Sequence, residues 1–120
     1  MGGRYTDLLK ERISSARFPS LEMIDRLERI VGITGDYEEY VDLLLEKLSS
    51  DDFPSQELMN RVERVIWHTD RYSEYIDFLM LRIEESNYPS KDLLDRLERL
   101  LFTGMKLSLA ASQEDDSQKN

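Results

Sequence analysis

Three arginine pairs carry the most suggestive chemistry in this sequence. An Arg-x-Glu-Arg run occurs as Arg26/Glu28/Arg29, again as Arg61/Glu63/Arg64, and again as Arg96/Glu98/Arg99. Guanidinium groups at a fixed interval along one face could grip an acidic peptide, because each forks onto a carboxylate through two hydrogen bonds. The same residues also read as salt bridges within and between helices, and that reading carries more weight. Glu22 with Arg26, Asp25 with Arg29, Glu57 with Arg61, Asp92 with Arg96 and Asp95 with Arg99 all stand four apart. Each such pair stabilises a helix surface by about 0.2–0.5 kcal/mol. Asn60 breaks the series opposite Arg64.

Tyrosines form the second group. Tyr37 with Tyr40 and Tyr72 with Tyr75 are three apart, so each pair shares one helix face. Tyrosine is favoured in interfaces, although packing between neighbouring helices is the plainer use. Trp67 and His68 are single occurrences. One histidine without a placed serine or carboxylate is weak evidence for catalysis, and it makes a poor zinc site. His68 reads instead as a helix C-terminal residue. Trp67 suits a buried seam between helices, or a binding hot spot if exposed.

Other chemistries lack their residues. The chain has no cysteine, so disulfides, thiolate metal sites and thiol catalysis are excluded. No carboxylate stands in a Glu-x-x-His context, Asp51-Asp52 has no calcium-loop spacing, and no glycine-rich phosphate loop occurs. An enzyme with a cleft between helices would need a cluster of perturbed titratable groups, which the sequence does not display. No catalytic residue, metal or cofactor is expected.

The elements that position these residues come from an internal repeat, the strongest signal in the chain. Tyr5, Tyr40 and Tyr75 lie 35 apart, as do Asp7, Asp42 and Asp77, and Leu9, Leu44 and Leu79. Pro19-Ser20 recurs as Pro54-Ser55 and Pro89-Ser90, each preceded by Phe18, Phe53 or Tyr88. So many positions held in register without a gap indicate duplication of one unit.

Each unit reads as two helices. Serine after proline is a good N-cap, and Glu22, Glu57 and Asp92 follow where the helix dipole favours an acid. Met23, Ile24, Leu27, Ile30 and Val31 then form one apolar stripe, matched by Leu58, Met59, Val62, Val65 and Ile66 and by Leu93, Leu94, Leu97, Leu100 and Leu101. The preceding helix of the second unit carries Tyr40, Val41, Leu44 and Leu48, widened by Leu43 and Leu45. In the third, Phe78, Leu79, Met80 and Leu81 are apolar almost all round, which suits a central helix or one that faces another chain. The spacing predicts an all-α protein with helices near 5–16, 20–33, 37–50, 55–69, 72–86 and 90–102 or somewhat beyond. Short links make successive helices antiparallel neighbours. Three tandem helical hairpins would thus stack as a short α-solenoid or compact helical array over 1–110, with an acidic disordered tail over 111–120.

The period and the two-helix unit resemble tetratricopeptide and pentatricopeptide arrays in architecture. The residues differ. Each unit here has Tyr, Asp and Leu early and a Pro-Ser break midway, in place of the Trp, Leu-Gly, Ala and Phe of the tetratricopeptide pattern. The chain is assigned to neither family.

Charge limits the partners. The net charge is −9, and without the tail 15 basic and 22 acidic residues still leave −7. Such a body repels phosphate backbones and anionic lipid, so direct nucleic-acid or membrane binding is not expected. No apolar run approaches the roughly 20 residues that span a bilayer, and a cytoplasmic location is the default. Met1-Gly2-Gly3-Arg4-Tyr5-Thr6 matches the N-myristoylation pattern, but the pattern is short and no polybasic patch supports it.

The expected function is a non-catalytic protein–protein interaction module, an adaptor or scaffold. Its candidate partner-binding residues are Trp67, His68, Tyr37, Tyr40, Tyr72, Tyr75, Arg26, Arg29, Arg61, Arg64, Arg96 and Arg99. Phe78, Met80 and Leu81 are candidates for self-association as a homodimer. The alternative is an acidic inhibitor that occupies the basic nucleic-acid-binding surface of a target protein.

Overall fold

A computed structural model describes residues 3–51 and 55–119, and the side chains up to 110. Gly2, Phe53, Pro54 and the side chains of the acidic tail lie outside the described residues. Six α-helices form among the described residues: α1 (Gly3–Ser15), α2 (Leu21–Thr34), α3 (Tyr37–Ser49), α4 (Gln56–Val65), α5 (Tyr72–Glu85) and α6 (Lys91–Lys119). A 3-10 turn, Ile66–His68, extends α4, and no strand occurs among the described residues. The expected helices are therefore present and start within about two residues of their predicted positions.

Local chemistry explains the starts. Ser20 Oγ accepts from Met23 N at 3.4 Å, Ser55 Oγ from Leu58 N at 3.4 Å, and Ser90 Oγ from Leu93 N at 3.1 Å. Ser20 and Ser55 are both extended, with φ −65° and −67°, as an N-cap requires. Glu22, Glu57 and Asp92 occupy the first turns.

The ends of α2 and α4 differ, and one residue accounts for it. Gly35 takes φ +82°, and its N–H bonds the Val31 carbonyl at 2.7 Å. This left-handed stop is nearly free for glycine and strained for most other residues. Asp70 stands 35 residues later. There the α-helix stops at Val65 and tightens into the 3-10 turn, closed by Thr69 N and Oγ1 donating to the Ile66 carbonyl at 3.1 and 2.8 Å. Gly104 does not stop α6, which runs through it at about 1 kcal/mol relative to alanine.

The chain divides into two compact units, Met1–Ser73 and Glu74–Asn120. In the first, α3 is the central helix. It packs on α1, α2, α4 and the 3-10 turn, and Tyr40, Val41, Leu43, Leu44, Leu45 and Leu48 are buried. Ile13, Ile24, Leu27, Val31, Met59, Val62 and Ile66 are buried on the neighbouring elements. Met23, expected in the stripe of α2, is exposed. In the second unit Tyr75, Phe78, Leu79, Leu97 and Leu100 are buried. Met80 and Leu81 of α5 are exposed, so α5 is not covered all round within the chain. Leu94 and Leu101 of α6 are exposed as well. No helix among the described residues is long and apolar enough to cross a membrane.

These roles give a graded stability test. Leu44 is fully buried, so Leu44→Ala should cost about 2–5 kcal/mol by cavity formation. Ser55→Ala loses only a cap, and about 1 kcal/mol is expected. Urea melts that find the two changes equal would show that α3 is not the core.

Candidate protein-interaction surface

One arginine pair of the first unit, Arg61 and Arg64, forms a polar seam between α2 and α4. Arg61, 8% exposed, donates from Nε and Nη2 to the two oxygens of Asp25 at 2.8 and 3.1 Å. Its Nη1 turns back to the Glu57 carbonyl and carboxylate at 3.0 and 3.3 Å. One turn on, Arg64 Nη2 contacts both oxygens of Glu28 at 3.0 and 2.9 Å. Tyr40 of α3 completes the seam, its hydroxyl donating to Glu28 Oε1 at 2.7 Å.

Electrostatics follow from this geometry. The hydrogen bond and charge of Arg61 hold the Asp25 carboxyl below the usual range. Asp25 in turn keeps Arg61 protonated against the cost of burial. Burial, and then the bond to Glu28, push the Tyr40 phenol far above its ordinary value.

Arg26 and Arg29 lie on the exposed side of α2, and Arg26 Nη2 meets Glu22 at 2.7 Å. In the second unit Arg96 is buried and donates from Nε to Asp92 at 2.7 Å, while Arg99 is exposed. Arg26, Arg61, Arg64 and Arg96 thus serve ion pairs within their own units.

The other candidates assemble at the corner where α4 ends. The 3-10 turn brings His68 against Tyr37, with ring centroids 4.4 Å apart and planes 14° from parallel. Trp67 leans on Tyr72, centroids 5.0 Å apart at 30°. The link is pinned to the start of α3: Glu38 accepts from Asp70 N at 3.0 Å, and Arg71 Nη1 reaches Asp42 at 2.8 Å. Trp67 is 38% exposed and His68 is exposed, so the indole does not sit in the buried seam first expected of it. The α-helix stops before Trp67, and the tighter 3-10 turn presents it at the surface.

The tyrosine pairs therefore divide. Tyr37 and Tyr72 are half-buried at this corner, whereas Tyr40 and Tyr75 are buried. In the second unit the Phe78 ring stacks near Tyr75 at 6.0 Å and lies under the Arg82 guanidinium at 5.3 Å. Phe78 is consequently buried, and the exposed apolar surface of α5 is Met80 and Leu81.

Sequence reasoning missed Lys47. Its Nζ donates to the carbonyls of Ser14 and Ala16, the latter at 2.8 Å, and so closes the end of α1 from α3. A lone helix-end lysine gives no such signal. Among the described residues no group of three or more His, Asp or Glu is placed to hold a metal ion. Compared with known proteins, the chain matches no protein family, no curated protein and no solved structure.

Two titrations check the seam. Asp25 has a depressed folded pKa, so its contribution is present above the ordinary value of 3.8 and is lost as pH falls through the folded value. Asp25→Asn should cost about 1–2 kcal/mol at neutral pH by leaving Arg61 under-partnered, and should flatten the acid limb of stability against pH. Tyr40 has a raised folded pKa, so its contribution is complete below 10.0 and is lost as pH climbs beyond that. Tyr40→Phe should reduce the alkaline loss of stability. An unchanged alkaline limb in pH-dependent urea melts would show that the phenol is not held neutral.

Proposed function

We propose that the chain is a non-catalytic protein–protein interaction module in which three 35-residue helical hairpins stack as a short α-solenoid. Supporting the stack, α2, α4 and α6 start at Leu21, Gln56 and Lys91, at the 35-residue interval of the sequence. The Asp25–Arg61 and Glu28–Arg64 pairs join residues 36 apart, one hairpin to the next.

One observation carries the functional reading: the partly exposed aromatic corner of Tyr37, Trp67, His68 and Tyr72. Its rings lie against one another in pairs and its link is pinned to α3, so little side-chain entropy is left to lose on docking. Tryptophan and tyrosine on such a rigid surface are the usual anchors of an interface. The partner is another protein with an apolar pocket for the indole, met in the cytoplasm.

The acidic-inhibitor reading has less support. Asp25, Glu28, Glu38, Glu39 and Asp42 all neutralise a base of the same unit, namely Arg61, Arg64, Arg71 or Lys10. Carboxylates used in this way are poor imitations of a phosphate array.

Affinity capture on the immobilised chain, with mass-spectrometric identification, tests the choice. Partners held by the corner should survive a high-salt wash and be lost, by about 30-fold or more in affinity, with Trp67→Ala. Capture that salt abolishes and Trp67→Ala leaves intact would instead favour the acidic inhibitor.

A further inference from the structure

The two ends of the proposed stack carry matching halves of its internal joint. Positions related by the 35-residue interval differ in exposure in a directed way. Tyr5 is 49% exposed where Tyr40 and Tyr75 are 0%. Leu8 is exposed where Leu43 and Phe78 are buried, and Arg26 is exposed where Arg61 and Arg96 are buried. The first hairpin thus shows the face that the later hairpins bury.

The last hairpin does the opposite. Leu101 is 39% exposed where Val31 is 1% and Ile66 is 0%. Leu94 is exposed where Ile24 and Met59 are buried. Leu94, Glu98, Leu101 and Met105 recur at helical spacing, and the three apolar members are all exposed. Terminal repeats of a closed stack present polar outer faces; both faces here expose large apolar side chains as well as charges.

Charge fits as well. Within the first unit, Asp25 and Glu28 of one hairpin receive Arg61, Arg64 and Tyr40 of the next. At the open ends the same residue types stand ready: Asp95 and Glu98 on α6, and Arg26, Arg29 and Tyr5 on the first hairpin. All five are exposed. Arg26 already keeps Glu22 as Arg61 keeps Glu57, so it can take a second carboxylate without giving up the first.

We infer that a second copy of this chain docks head to tail. The α6 face of one molecule receives the first hairpin of the next and rebuilds the internal joint between chains. Asp95 takes the place of Asp25, and Glu98 that of Glu28. A heterologous contact of this kind does not close on a pair, so chains add in series or in a ring. This rests on the three-hairpin reading, but it fails separately from it: partner capture through Trp67 does not need self-association.

Sedimentation velocity across a wide concentration range is the test. The wild type should grow beyond a dimer as concentration rises. Arg26→Glu/Arg29→Glu and Asp95→Arg/Glu98→Arg should each weaken association by about 30-fold or more. The altered residues are exposed, so circular dichroism should report unchanged helicity. Mixing the two variants should restore association, because each then meets a complementary face. A wild type that stays monomeric throughout would overturn the inference. So would a symmetric dimer through Met80 and Leu81 that is indifferent to Arg26→Glu/Arg29→Glu, or a mixture that remains monomeric.

Discussion

The guanidinium of Arg61 lies between α2 and α4 with almost no access to solvent, and a charge there is tolerable only with its partners in place. Asp25 supplies two hydrogen bonds across the seam, and Glu57 supplies two from Arg61's own helix. The demand is geometric. Sliding α4 along α2 by one residue would carry the guanidinium about 1.5 Å along the axis and turn it about 100° away. Apolar burial on α3 supplies most of the stability. The seam adds what apolar contact lacks, a preference for one register. With that register set, Tyr40 reaches Glu28 and α3 is held against α2.

The same register places the aromatic corner. Because α4 is locked to α2, the 3-10 turn that follows it falls beside the start of α3, where Tyr37 waits for His68. Glu38 and Asp42 then fasten the link through Asp70 and Arg71. The corner owes its rigidity to contacts made by residues outside its rings, so removing one of them would loosen the rings from a distance.

Much of this fold was legible in the sequence. Pro-Ser with a following acid marked three helix starts, and apolar spacing marked the faces. The exchange of Gly35 for Asp70 held the information about the two helix ends, but its consequence is a matter of backbone geometry: a left-handed stop is available in one place and not in the other. The site was legible in its parts and not in its grouping. Tyr37 and Tyr40 share a helical face on paper, yet one turn of helix separates a seam from a corner. Arg61 and Arg96 are buried while Arg26 is exposed, and residue type cannot distinguish them. For Arg61 the difference is that α2 lies against it, with Asp25 placed to receive its guanidinium.

Lys47 shows how closely the hairpins of the first unit depend on each other. The last carbonyls of a helix lack partners within it. At the end of α1 they are met by a side chain from α3, beyond the whole of α2. Alone, the first hairpin would leave Ser14 and Ala16 to water. Once α3 docks, the lysine closes that end and buries the apolar face of the hairpin in the same step. In a linear array such nearest-neighbour terms decide whether units melt one by one or together. Here the coupling runs backwards along the chain, so α1 gains its last partners only after a helix made later has folded. During synthesis the α1–α2 hairpin would leave the ribosome before α3 and be completed after it.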